Sequence, residues 1–370
     1  MHLDIERLKK AKSRLGEAVL DPGQWPDLMQ SLCDATATTG AVLVQSDIRT
    51  PDVPVTPSIA EMIDSYFEAN LHVTDVRAIR GVPLHQSGRR VLRDQDIFAS
   101  EADMLREPLY RHLDRYGFRW WAAISFYSGP AQWAFAFQRK ITEGAFEADE
   151  VKALASLADS LTDVATLSRL VGRQALLGSL NAFEMIGEPA ISLMRSGRVF
   201  EINPAAEALF DSDFGISNRR LLFSDGRASH ALAHLLSECA DESELRLHPS
   251  RRTGNIVVAQ RRARRPLLIK VLPVHGAASS PFLGARFILV LRDLETIRHP
   301  APAVLSELFS LTPAETRIAA MIAAGLSPDE ISGQLQISVQ TVRNQIKAVF
   351  AKTGTHRQSE LAVLISRVAG

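Results

Sequence analysis

Residues 311–368 read LTPAETRIAAMIAAGLSPDEISGQLQISVQTVRNQIKAVFAKTGTHRQSELAVLISRV. Thr312, Pro313 and Glu315 form a capping box with proline at the first helical position. Ser327, Pro328 and Glu330 repeat that arrangement one helix later, and Thr355 with Gln358 offers a third box. Gly325 and Gly354 stand where helices stop in the left-handed conformation. This punctuation predicts helices near 313–324, 328–335, 339–352 and 356–368. A tight turn around Gln336 and Ile337 joins the second to the third, whose N-cap is Ser338.

The third of these helices has two faces. Val339, Val342, Ile346, Val349 and Phe350 follow helical spacing and are expected to pack inward. Gln340, Arg343, Asn344 and Lys347 share another face at steps of three and four. Between Ser338 and Gln358 stand Arg343, Lys347, Lys352 and Arg357, and no acid. An apolar back with a basic, amide-bearing front suits the DNA major groove, where Arg and Lys pair with guanine and Asn with adenine. On spacing alone, a small helical bundle with a solvated basic face explains the pattern equally well.

The motifs favour the first reading. The segment resembles the LuxR-family helix-turn-helix, through Leu311-Thr312 with Glu315, Gly325-Leu326-Ser327 with Glu330-Ile331, and Ile337-Ser338 with Thr341-Val342-Arg343. The resemblance implies that Arg343, Asn344 and Lys347 face base edges. It also implies phosphate contacts from Ser338, Gln340 and Thr341 at the positive helix N-terminus, and from Lys352. Ala314 and Gln345 depart from a common arginine and a common histidine of that family. The ending Phe350 to Gln358 resembles a LuxR subgroup that carries PAS-like sensor regions.

The rest of the chain sets the context. Its 370 residues are 46% hydrophobic and 23% charged, enough for two or three domains with ordinary cores. The 42 basic and 42 acidic residues balance, so the chain is no general polycation and any DNA-binding charge must be local. Cys33 and Cys239 lie far apart and suggest neither a disulfide framework nor a metal site. No run of about twenty apolar residues spans a membrane. The opening Met-His-Leu-Asp-Ile-Glu-Arg-Leu-Lys-Lys is amphipathic rather than a signal peptide, so a cytoplasmic location is expected.

Residues 176–296 resemble a PAS domain. Ala190–Met194, a Ser196-Gly197 turn and Arg198–Asn203 read as two strands before an Asn203-Pro204 helix start. Runs at 254–259, 266–274 and 286–292 supply three more strands. The cysteine motif of flavin-type PAS domains is absent, and no cofactor is expected. His230 and His234 stand four apart on a predicted helix. They are read as ordinary helix residues rather than metal or haem ligands. The run Arg261-Arg262-Ala263-Arg264-Arg265 is read as a solvated hairpin in preference to a nucleic-acid patch.

Residues 1–175 resemble a GAF-like or LuxR-type sensor domain of α/β sandwich pattern. Val42–Ser46, Trp120–Tyr127 and Trp133–Gln138 read as strands, the last two a hairpin across Ser128-Gly129-Pro130. Helical patterns lie near 3–19, 59–70, 103–115 and 147–176. Tyr66 to Asp75 is faintly similar to acyl-homoserine-lactone sensors, but Val76 stands where those carry proline and the aromatic spacing differs, so that ligand class is not expected. Trp120, Trp121 and Trp133 are read as core before pocket lining. From Phe146 to about Leu180 runs an amphipathic helix with Leu154, Leu157, Leu161, Val164, Leu167 and Val171 in step. It either joins two subunits or lies against its own sheet. The proline-punctuated segment 296–306 reads as a linker.

The expectation is a multidomain α+β chain: a GAF-like α/β sensor domain (1–175), a PAS-like one (176–296) and a four-helix LuxR-type module (305–370). Its function would be sequence-specific transcription regulation, modulated by a small molecule or partner. Double-stranded DNA, a second copy of the chain and RNA polymerase are the expected partners. A sigma factor would need a helical promoter-melting domain upstream, and a response regulator an acidic phosphoacceptor pocket; neither pattern is present. An enzyme or signal-binding module tethered to a DNA-binding tail is the remaining alternative. Against the enzyme, no Gly-x-x-x-x-Gly-Lys loop, His-Glu-x-x-His or Gly-x-Ser-x-Gly motif is found.

Overall fold

The predicted hairpin is apolar along most of its length because its sheet is covered on both faces. The computed structural model describes residues 3–46, 53–238, 255–295 and 300–368. Strands β1 (Gly40–Gln45), β2 (Val91–Arg93), β3 (Phe118–Ser128) and β4 (Ala131–Lys140) form an antiparallel sheet in the order β1-β4-β3-β2. Ala41, Leu43, Ala122, Ile124, Phe126, Phe135 and Phe137 point to one face. There they meet helices α1 (Ile5–Arg14), α2 (Trp25–Ala35) and α3 (Ala148–Ala155) and the first half of α4 (Ala158–Met185). The alternate residues Val42, Trp121, Ala123 and Ala136 face helices at Ala60–Glu68, Val76–Gln86 and Pro108–Asp114. This period-two division of side chains gives a three-layer α/β/α sandwich.

The second sheet collects β5 (Ala190–Met194), β6 (Val199–Ile202), β9 (Ile256–Ala259), β10 (Leu267–Pro273) and β11 (Ala285–Asp293) in the order β6-β5-β11-β10-β9. All five strands expected in this region are present. Asn203 holds the opening together: its Oδ1 accepts from the N–H groups of Ala190 (2.9 Å) and Ala206 (3.0 Å), and its Nδ2 donates to the Glu188 carbonyl. A small hairpin of β7 (Phe214–Ser217) and β8 (Arg220–Phe223), not foreseen from the sequence, joins helix α5 (Gly226–Glu238) over the inner face.

Residues 1–292 form one compact unit and 293–370 another. Inside the first, α4 crosses the expected 175/176 boundary. Its Leu161 and Ala165 pack in the first sheet's core, while Leu176 and Leu180 pack beside Ala190, Ala285 and Ile288 of the second sheet. The outer surface of the helix leaves Leu167 and Leu170 about half exposed. Gly172 permits a close crossing, since a Cβ there would lie 2.6 Å from the Ala277 carbonyl oxygen. Phe282 then leaves its own strand region and inserts among Trp25, Phe126 and Trp133, with ring centroids 5.5, 6.0 and 4.9 Å away.

Several helices differ from the pattern reading. The expected 3–19 helix stops at Arg14 and restarts at Glu17, with Gly16 as the new N-cap. The 103–115 pattern splits because Pro108 forces Glu107 into extended backbone (ψ 138°). The long helix breaks at Ser156-Leu157 and continues past Leu180 to Met185. The arginine run is not a solvated hairpin throughout. Arg261 is buried, donates to the Arg265 carbonyl and lies 3.7 Å from Asp211, which also meets Arg264. Cys239, residue 254 of the expected strand and residues 296–299 of the expected linker lie outside the described residues.

Candidate nucleic-acid interface

The second unit is built from α6 (Pro302–Phe309), α7 to α9 (Pro313–Ala323, Pro328–Leu335, Val339–Thr353) and α10 (Gln358–Val368). Helix α6 occupies much of the expected linker, and its Leu305 is fully buried with Ile318, Ile331, Val342, Val349 and Leu361. A module cut at residue 305 would lose the start of that helix.

Two capping boxes form as the sequence predicts. The Glu315 amide donates to Thr312 Oγ1 (3.3 Å) and the Thr312 amide to Glu315 Oε2 (2.7 Å). The Ser327–Glu330 pair repeats this at 3.3 and 2.8 Å. The third box does not form: Thr355 Oγ1 pairs with Thr353 Oγ1, and Glu360 instead takes the His356 amide at 2.7 Å. Helix α8 ends on Gln336 in the left-handed region (φ 54°), a conformation of uncommon occurrence without glycine. That turn is held by Ser332, whose Oγ donates to the Ile337 carbonyl at 2.6 Å.

Ser338 then starts α9, its Oγ accepting the Thr341 amide at 3.0 Å. Val342, Ile346 and Val349 are buried against the other helices. Ser338, Gln340, Thr341, Arg343, Asn344 and Lys347 are all exposed. Gln340 Nε2 donates to Asn344 Oδ1 at 3.3 Å, which aligns the two amides along the exposed face. Arg343 and Lys347 have no ion-pair partner among the described residues.

Lys352, expected at a phosphate, also has partners inside the module. Its Nζ donates to Glu315 Oε2 at 2.7 Å and to the Ser310 carbonyl at 3.0 Å, tying the end of α9 to the start of α7. The hydrogen bond from Lys352, with the capping amide of Thr312, holds the Glu315 carboxyl below the ordinary glutamate range. Gln345, at the position of a common family histidine, turns inward, and its Oε1 is buried without a partner.

The remaining singled-out residues lie in the first unit. Trp133 is core, Trp121 lies across the sheet beneath Arg77, whose guanidinium sits 5.4 Å from its ring, and Trp120 is half-buried. His230 and His234 are exposed on α5, with His234 Nδ1 3.2 Å from Glu238.

Two capped helices joined by a tight left-handed turn, the second presenting an unpaired basic face, have the geometry of a helix-turn-helix. Residues 309–365 match the family described as bacterial regulatory proteins, luxR family (GerE), and form a LuxR-family helix-turn-helix domain. No curated protein matches the chain. Among solved structures, the phage VqmA–DPO complex aligns at 17% identity over 52% of this chain and 88% of that one, with a TM-score of 0.20. The E. coli DhaR(N)–DhaL complex aligns at 13% identity over 77% and 87%, with a TM-score of 0.23. Neither superposition is close enough to define a shared fold. Among the described residues, no helix is long and apolar enough to cross a membrane.

Proposed function

We propose that this protein is a sequence-specific, non-enzymatic transcription regulator whose first unit receives a small-molecule or protein signal. The observation that carries the reading is the exposed face of α9, where Arg343 and Lys347 have no ion-pair partner among the described residues and Asn344 pairs only with Gln340 on the same face, within a LuxR-family domain. Arg343, Asn344 and Lys347 read base edges; Ser338, Gln340 and Thr341 hold phosphate at the helix N-terminus. Two copies place their recognition helices in successive major grooves about 34 Å apart, on a two-fold site. The half-exposed Leu167 and Leu170 on α4 provide an apolar seam for that homodimer. The layers at 1–175 and 176–296 act as GAF-like and PAS-like sensors in a cytoplasmic protein that contacts RNA polymerase.

The test is selection of genomic DNA fragments by the full-length protein at about 150 mM salt, where phosphate-only binding is weak. A shared two-fold motif is expected, lost in an Arg343→Ala/Lys347→Ala double variant. Selection of no motif, or the same motif by the double variant, refutes the assignment.

A further inference from the structure

Between the first sheet and the helices Ala60–Glu68 and Val76–Gln86 lies a cleft of about 70 Å³. Its walls are largely apolar, with Val42, Met62, Phe67, Leu109, Trp121 and Ala136 among them. It shares Ser46, Asp75, Ala78 and Val82 with a shallower outer groove, whose lip carries the exposed Val73 and Ile79. The floor is fixed by buried polar groups that satisfy one another. Arg77 donates to Tyr110 Oη (3.0 Å), to Gln138 (3.3 Å) and to the Arg119 carbonyl (3.0 Å). Asp94 accepts from Tyr110 and from the Trp121 amide. Asp75 is committed as a helix cap, accepting the Arg77 amide on Oδ1 and the Tyr66 hydroxyl on Oδ2, each at 2.8 Å.

His85 lines the same cleft and is the exception to that mutual satisfaction. It is 93% buried by its relative exposure of 7%. Its Nδ1 sits 2.7 Å from the Arg89 carbonyl oxygen, a partner that can only accept, so Nδ1 carries the proton. Burial pushes the imidazole below the ordinary histidine pKa despite that hydrogen bond, and the ring is neutral at pH 7. Nε2 is therefore a bare acceptor, and it is buried with no partner. Buried acceptors in native proteins nearly always find a donor.

We infer that this cleft is a binding site for an uncharged, largely apolar small molecule that presents one O–H or N–H, and that His85 Nε2 accepts its hydrogen bond. The cleft wall supplies the apolar contact, and His85 selects for the donor. The two charged side chains of the lining, Asp75 and Arg77, already meet protein partners, so neither is held in reserve for an ionic ligand. This inference deepens the sensor reading of the first unit and rests on it.

The experiment is calorimetric titration of the full-length protein, without DNA, using phenol and toluene as probes of matched size that differ in one donor. Phenol is expected to bind at least about fivefold more tightly than toluene, the worth of one neutral hydrogen bond in a buried site. His85→Phe removes the acceptor and brings phenol to the toluene level. Ala134→Phe fills the cleft from strand β4 and abolishes binding of both, with folding of each variant checked by tryptophan fluorescence. In a sample with ¹⁵N-labelled histidine, phenol shifts the Nε2 resonance of His85 and toluene does not. Equal affinity for the two probes, a phenol preference that survives in His85→Phe, or binding of neither overturns the inference. Because no step uses DNA, a failed fragment selection beside a positive titration would remove the regulator and leave the site standing.

Discussion

Phe282 is the sharpest place to test how the first unit is assembled. It belongs by sequence to the second sheet's region, yet its ring is 5% exposed inside the first sheet's core. Its neighbours Trp25, Phe126 and Trp133 all meet it edge-on at 77–81°. Replacing it with alanine removes a buried aromatic and leaves a cavity, at a cost of about 3–5 kcal/mol. For a body of this size each kcal/mol lowers the melting midpoint by about 2–4 °C, so a fall of about 6–20 °C is expected. The chain's four tryptophans stand at 25, 120, 121 and 133, every one in the first sheet's layers. Tryptophan fluorescence therefore reports on the first sheet alone, while the substitution lies in the second sheet's region. If Phe282→Ala leaves the fluorescence midpoint within about 2 °C of the parent, the cavity and transfer costs are absent. In that case the insertion of Phe282 into the first core is wrong, and the two sheets fold as separate domains.

Gly172→Ala places a Cβ 2.6 Å from the Ala277 carbonyl, a fixed backbone atom, and is expected to destabilise the same unit by about 1–3 kcal/mol in urea unfolding. At an open helix site the same change would stabilise. The Glu315 carboxyl, held down by Lys352 and the Thr312 amide, contributes stability that is present above the ordinary glutamate pKa and lost as pH falls through its lowered value. Urea midpoints of the parent and of Glu315→Gln should therefore differ at pH 7 and converge below about pH 4.3. A constant difference would show that the charge plays no part. Lys352→Met is expected to cost about 1 kcal/mol or less of stability and to leave the salt dependence of DNA binding unchanged. A log–log slope reduced by about 0.9 would instead return Lys352 to a phosphate.

The parts of the molecule that were legible in the sequence are those fixed by neighbours in the chain. Thr312 with Glu315 and Ser327 with Glu330 act across three residues, and Gly325 and Gly354 adopt φ of 88° and 67° as C-terminal stops. Ser310 and Gln336 do the same work at φ 53° and 54° without glycine; the turn at Gln336 is legible from the Ser338 N-cap that follows it, whereas no residue type announces the one at Ser310. The Lys352 ammonium that meets the Ser310 carbonyl comes from packing, whereas the Ser332 hydroxyl that holds the turn at Gln336 reaches the Ile337 carbonyl within the local chain. Pro302 punctuates the expected linker, yet proline at the first position of α6 suits a helix start as well. The arginine run looked solvated because its acids, Asp211 and Asp213, lie some fifty residues earlier. The roles of Phe282 and His85 have the same origin: one depends on a cavity lined from another layer, the other on which nitrogen meets the Arg89 carbonyl.

Helix α9 separates its folding contacts from the proposed recognition face residue by residue. Val342, Ile346 and Val349 hold it to the bundle, and Lys352 ties its last turn to Glu315. Arg343, Asn344 and Lys347 make no contact that the bundle requires, apart from the Gln340–Asn344 amide pair on the same exposed face. Unpaired cations cost the fold little while they stay in water, and their attraction for phosphate and guanine is then undiminished by an internal partner. On the proposed function, this division lets specificity change at the exposed face while the buried face keeps one structure. It also sets Lys352 apart on the same helix: an ammonium already 2.7 Å from a carboxylate has less to offer a phosphate than one with no partner, which is what the salt-dependence measurement on Lys352→Met tests.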